Sequence, residues 1–317
     1  SIEWTSQHSC GTKNNECQLI IQYMCSSSSA VEDRISDGET TDDIPDDEDT
    51  YNTPGAAGGF LYGMHENYYY YKRCEGRMRN MGLFIADRNI NVQDARVSRQ
   101  NNNVDRHGFE CPEERDYYPY WAPTPWRDIA VLTTDNGDLC DMYTEESQNV
   151  MSKWECVDAA DSRWPALYDG PNGEVAPIDE IQCEGQGGMW METEAWGIDA
   201  PDCIEAPWSR DNHLGNGRNW GANTYNWTIP NDYDCISDGD CVCVLRMRYN
   251  ISTKDTDTWE KPKGMGEPMS EMEFIDFTYN GDASPIQQEP IVEVSGWELH
   301  IEINTNQYGR TFEDRSH

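Results

Sequence analysis

The chain has 317 residues, with 59 acidic side chains against 23 lysines and arginines, for a net charge of -36. That length can bury a sizeable core, in one large domain or two smaller ones. The charge argues against nucleic-acid binding, which needs clustered lysine and arginine to replace counterions, and against anionic membranes; no apolar run of about 18 residues is present to cross a bilayer.

The chain starts at Ser1 without a methionine, which points to processing or incomplete coverage. Ile2-Glu3-Trp4-Thr5 is a short alternating segment. From Cys17 to Cys25, Leu19, Ile21 and Tyr23 can face one side, with Gln18, Ile20 and Gln22 on the other; this is a strand pattern. Glu32 to Asp49 holds ten acids and one arginine, Arg34, so residues 32–56 read as an exposed acidic loop. Its plain reading is a solvated charge run. Its sharper reading is calcium binding, with Asp42, Asp43, Asp46 and Asp47 as ligands, although the ordered spacing of an EF-hand is absent. PGAAGGF at 54–60 is a connector. Tyr68 to Tyr71 would place two rings on each face of a strand, and Met81 to Ala86 reads as a short apolar strand. Gln93 to Arg106 is polar and reads as a loop.

Glu110 to Trp126 is the stretch that organises the rest. It holds four acids, three tyrosines, two tryptophans and prolines at 112, 119, 123 and 125, which rule out an amphipathic helix. It reads as an aromatic brace across a core, or alternatively as an aromatic platform for sugar. Asp128 to Thr134 follows as a buried strand, and Asp135 to Asp138 as a turn. Glu145 to Cys156 is the one plausible short helix, with Glu146, Val150 and Trp154 at helical spacing. Residues 157–200 read as long disulfide-stapled loops that enclose Trp164, Trp190 and Trp196. The glycine run at 185–188 lacks the lysine of a phosphate loop. From Cys243 to Ile251 alternate residues form an apolar face, with Val244, Arg246, Arg248 and Asn250 opposite. Trp297 to Ile303 alternates in the same way.

Twelve cysteines, at 10, 17, 25, 74, 111, 140, 156, 183, 203, 235, 241 and 243, read as six disulfides of a secreted chain. Cys10 with Cys17, and Cys235 with Cys241 or Cys243, are candidate local closures. Asn226-Trp227-Thr228 and Asn250-Ile251-Ser252 are N-glycosylation sequons. Asn250 lies on the polar face of its strand pattern, which favours exposure. Asp238 and Asp240, with Asp255 and Asp257, are weaker calcium candidates. The six histidines show no HExxH or other ligand spacing, and no G-x-S-x-G elbow occurs. Glu113 and Glu114 are adjacent, so in a strand they point apart and form no glycosidase pair by themselves; among 59 acids, pairs from distant segments stay open.

EWTSQHSCG (Glu3 to Gly11), CQLIIQYMC (Cys17 to Cys25), GLFIADR (Gly82 to Arg88), CPEERDYYPYW (Cys111 to Trp121) and RDIAVLTT (Arg127 to Thr134) form an ordered series. It continues through APDCIEAPWSRDNHLGNG (Ala200 to Gly217), RMRYNIST (Arg246 to Thr253) and NTNQYGRTFEDRSH (Asn304 to His317). The series resembles the "DD three-three" family, secreted cysteine-rich proteins of slime moulds, algae, oomycetes and marine invertebrates. Family members carry a signal peptide and a further segment before the EWT motif, and the acidic loop after Cys25 is peculiar to this chain. The resemblance implies secretion and a β-rich fold, and it implies no reaction.

The expected fold is therefore mainly β, an antiparallel β-sandwich, Ig-like or jelly-roll-like, with long stapled loops and little helix. It forms one compact unit over 1–317, with any sub-boundary within 157–200. The expected function is an extracellular structural glycoprotein. It self-associates into an oligomer or filament through terminal or edge strands, Ser1 to Thr5 being the candidate donor unless it pairs within its own domain. No catalytic constellation, required cofactor, nucleic acid or membrane insertion is expected. The alternative is a carbohydrate-binding or carbohydrate-active secreted protein.

Overall fold

The structure is a computed structural model. It describes residues 1–5, 10, 15–27, 35, 45, 47–54, 65–77, 114, 118–134, 139–170, 173–209, 217, 221–230, 241–253, 291–294 and 297–300. The chain is mainly β, with short helices and several disulfides.

Four strands form the largest sheet: β2 (Asn15–Ser27), β3 (Arg127–Thr133), β8 (Asp202–Glu205) and β10 (Cys241–Thr253), in the order β10-β2-β3-β8. β10 and β3 run antiparallel to β2, while β8 is parallel to β3. From Cys17 to Met24, β2 is buried on both faces. One face carries Leu19, Ile21, Tyr23, Ala130 and Leu132. Against it packs a two-stranded ribbon of β1 (Ile2–Trp4) and β9 (Asn223–Tyr225), through Ile2, Trp4, Tyr225 and Trp227. The other face carries Ile20 and Val131 under Tyr118 and the short helix α3 (Cys140–Glu145), through Met142 and Tyr143. The register slips at Ile21/Gln22, leaving Ile129 as an extra residue, and this bulge sets Asp128 opposite Gln22.

A second core lies beside the sheet. Two helices, α1 (Glu48–Tyr51) and α2 (Tyr68–Gly76), pack with Tyr120, Trp121, Ala122 and Ile178. The strand expected at Tyr68 to Tyr71 is thus a helix. Asn67 caps it by accepting from the Tyr70 N–H (2.8 Å), and all four rings are buried around the axis, so no apolar period marks one face.

The helix expected over Glu145 to Cys156 is also absent. α3 ends at Glu145, the chain turns, and β4 (Lys153–Val157) pairs with β7 (Met189–Thr193). The turn is fixed because Ser147, Gln148 and Asn149 are buried and stand in for backbone partners. Ser147 Oγ donates to Asp128 Oδ2 (2.6 Å), and Thr124 N donates to Gln148 Oε1 (2.8 Å). Asn149 exchanges two hydrogen bonds with the Asp128 backbone. Val150, one of the three residues at helical spacing, is exposed.

Residues 157–200 are more ordered than loops. They include a ribbon of β5 (Tyr168–Gly170) and β6 (Gly173–Val175), then helix α4 (Glu180–Gly185), then β7. The glycine run closes α4: Gly187 takes a positive φ of 87°, and Gly188 lies flat against the Cys156–Cys183 disulfide. A last ribbon joins β11 (Ile291–Val294) to β12 (Trp297–His300), within the segment read as a strand. The expected strand at 81–86, the loop at 93–106 and the turn at 135–138 lie outside the described residues.

Candidate functional site

Among the described residues, a cluster of buried charge surrounds Arg246. Alternation along β10 points Arg246 and Arg248 to the side covered by the brace, so this polar face is turned inward. The Arg246 guanidinium stacks on Trp126, 3.9 Å from the ring centroid. It donates to Gln22 Oε1 (2.7 Å) and Glu114 Oε1 (2.5 Å), and it lies 3.4 Å from Glu66 Oε1. Glu66 Oε1 also accepts from Trp126 Nε1 (2.7 Å), and its Oε2 accepts from the Tyr71 hydroxyl. Glu114 Oε1 accepts from Thr124 Oγ1 (2.6 Å), and its backbone oxygen accepts from Arg248. Gln22 passes the network on by donating to Asp128 Oδ1 (2.6 Å).

Burial governs the protonation of this interior. It raises the Asp128 carboxyl above its usual range, although Ser147 and Gln22 donate to it. It pushes the Tyr71 phenol well up, with the Glu66 charge second, and does the same to Tyr118 beside Asp128. Lys153, buried with its ammonium on the Glu146 carbonyl (2.6 Å), is lowered to about 8 by desolvation.

A second knot ties α2 to the brace and β4. Arg77 donates to Glu155 Oε2 (2.6 Å) and to the Tyr120 hydroxyl (2.7 Å), and faces the Trp121 ring. Arg73 Nε approaches Glu155 Oε1 at 3.0 Å, as an ion pair without an aligned hydrogen bond.

Chemically, both knots are fasteners. Glu66, Glu114 and Glu155 are almost fully buried and each is held by an arginine. Removing one partner of such a pair is costly, because it strands a buried charge. Among the described residues of this stretch, the rings of Tyr118, Tyr120, Trp121 and Trp126 are buried, as a brace requires, and present no open face to a sugar. Half-buried tryptophans do occur elsewhere: Trp154, Trp164 and Trp190 sit against the tyrosine helix beside exposed Arg163. Sequence reasoning missed Glu66, Ser147, Gln148 and Asn149. Only Asn67, a capping residue before the tyrosines, offered a local signal.

The disulfides fall as follows. Cys10–Cys17 is the local closure expected. Cys243 bonds Cys25 and not Cys235, because the two are directly opposed in the β10–β2 register. Cys140–Cys203 ties α3 to β8, and Cys156–Cys183 ties β4 to α4. Cys74 and Cys241 are also disulfide-bonded, while Cys111 and Cys235 lie outside the described residues. Among the described residues no cysteine is free. The sulfurs of Cys25, Cys241 and Cys243 lie within 4.8 Å of one another, yet all are oxidised and offer no thiolate to a metal.

Of the calcium candidates, Asp47 is committed to capping α1, accepting from Thr50 N (2.8 Å) and Thr50 Oγ1 (2.6 Å), which lowers its carboxyl. Asp42, Asp43, Asp46, Asp238 and Asp240 lie outside the described residues. Asn226 and Thr228 of the first sequon are exposed. Asn250 of the second sequon stands opposite Gln18 in the β10–β2 register. His65 packs edge-on to Trp126.

No helix among the described residues is long and apolar enough to cross a membrane. No curated protein and no solved structure matches the chain. The family model for the DD3-3 N-terminal domain matches residues 1–317, the whole sequence, and the chain therefore belongs to the DD3-3 family.

Proposed function

We propose that this chain is an extracellular structural glycoprotein that self-associates through the edges of its main sheet. The observation that carries the reading is the state of those edges. β10 and β8 are the outer strands, and among the described residues neither pairs with a further strand. Val242 (45 % exposed) and Leu245 (43 %) on β10, and Ile204 (41 %) on β8, are apolar residues left in solvent. An exposed edge is a template for another chain, and two unlike edges make a head-to-tail contact that either closes into a ring or propagates as a filament. Ser1 to Thr5, the other candidate donor, pairs with β9 of its own chain. The disulfides and the exposed Asn226 sequon support an oxidising, extracellular setting. The charge of -36 opposes assembly, and calcium on the acidic stretches is the counterion that would offset it. Substituting Val242→Lys with Leu245→Lys tests the contact by sedimentation: loss of the assembled species with a folded monomer supports it, and unchanged assembly rejects it.

A second reading, carbohydrate binding, is favoured by the half-buried cluster of Trp154, Trp164 and Trp190 with Arg163 and Asp161 at its side. Tryptophan stacking on sugar faces would quench their fluorescence during titration with oligosaccharides. A flat titration removes this reading.

A further inference from the structure

The segment around β9 crosses one face of the main sheet and is anchored at two points. The Trp227 ring lies 5.1 Å from that of Tyr23 on β2. The Tyr225 hydroxyl donates to Asp202 Oδ2 (2.6 Å) at the start of β8. Asp202 is paired with Ala130 and Ile204 with Leu132, so both share the sheet face that carries Ala130 and Leu132. The cover is incomplete there. Ile204 is 41 % exposed, on a strand whose outer edge pairs with no further strand among the described residues. Asp202 and Glu205 blunt this edge by charge, and Ile204 between them does not. Asn226 stands between the two anchors. Tyr225 and Trp227 are half-buried while Asn226 and Thr228 are exposed, so the anchors fix the backbone and leave the sequon in solvent.

We propose that an N-glycan on Asn226 guards the β8 edge and sets the concentration at which that edge accepts a second copy of the chain. The guard presupposes the sheet-edge reading given above and is its regulation at β8. The modification bonds Asn226 Nδ2 to the anomeric carbon of a lipid-diphosphate-linked oligosaccharide. The anomeric C–O bond breaks, the lipid diphosphate leaves with that electron pair, and one amide proton is released. The product is a bulky, hydrated chain rooted one residue from the Tyr225–Asp202 contact. It sweeps the approach to Ile204, so an incoming strand must push it aside. That restriction costs on the order of one immobilised long side chain, about tenfold in concentration. The glycan is thus a brake on assembly and not a lock.

The test uses the full chain secreted from a glycosylating host, at fixed calcium. Peptide mass mapping reads the glycan on Asn226, and sedimentation over a concentration series reads the midpoint of assembly. Asn226→Gln and Thr228→Ala remove the same glycan through different exposed side chains. Both should lower the midpoint by roughly tenfold. Adding Ile204→Lys to Asn226→Gln should cancel that gain, because the uncovered edge is then charged. Assembly with the same midpoint in glycosylated and glycan-free chains would overturn the guard and leave the edge reading standing. So would an unmodified Asn226 in the secreted chain, or a gain that survives Ile204→Lys. Sedimentation of every protein as a monomer at all concentrations would overturn the edge reading, and the guard with it.

Discussion

Arg246→Ala is the sharpest test of how the interior is held. The change removes the guanidinium from Glu66, Glu114, Gln22 and the Trp126 face at once. Glu66 keeps Trp126 and Tyr71, and Glu114 keeps Thr124, but both lose their buried countercharge. Breaking a buried pair from one side costs about 3–5 kcal/mol. The lost stacking is worth roughly 2 kcal/mol when desolvated, and part of it is already counted in that range. We expect a loss of about 4 kcal/mol at neutral pH, which for a chain of this size lowers the melting temperature by roughly 6 °C. Urea titration followed by tryptophan fluorescence, with disulfides intact, reads the loss. Arg246→Lys should recover only part of it, because an ammonium reaches one carboxylate and does not stack flat. Glu114→Gln combined with Arg246→Ala should cost less than the sum of the two, by about 1–3 kcal/mol. A loss below about 1 kcal/mol for Arg246→Ala, or strict additivity in the double variant, would refute the fastening role.

Lys153 predicts a pH dependence with a defined sign. Its folded value, about 8, lies below the ordinary 10.5, so between these the unfolded chain holds more protons and stability rises with pH. Relative to Lys153→Met, the wild type should gain about 3 kcal/mol across that window, and parallel stability curves would contradict it. Gly188→Ala places a Cβ within 2.9 Å of Ala166 Cβ and both sulfurs of Cys156–Cys183, and should cost about 1–3 kcal/mol in thermal melts. Gly185→Ala meets nothing within 4 Å and should be neutral or slightly stabilising; equal losses at both positions would reject the contact. Enzymatic deglycosylation should lower the mass of wild-type protein, and Asn226→Gln should remove one glycan; an unchanged mass would strike Asn226 as a site.

Where one period governs, the fold is legible in the sequence. Leu19, Ile21 and Tyr23 on β2, the run through Leu132 on β3, and Leu245, Met247 and Tyr249 on β10 announce their strands by alternation or continuous burial. The brace is legible too, since its prolines and aromatics leave few other conformations. Tyr68 to Tyr71 fail because four equal rings contain no period, and the deciding cap is a single residue, Asn67. The Ser147-Gln148-Asn149 turn fails because its polar side chains replace backbone partners, which no propensity records. The inward face of β10 fails for a longer-range reason. Arg246 reads as solvent-facing until its acids are known, and those acids stand 180 and 132 residues away in the chain.

Assembly through the edges of the main sheet would show in the particle form of the protein in its native source. Sedimentation and electron microscopy of the unreduced, glycosylated material should find oligomers or filaments built from repeated head-to-tail copies. A single glycosylated chain at every concentration, with or without calcium, would contradict the account.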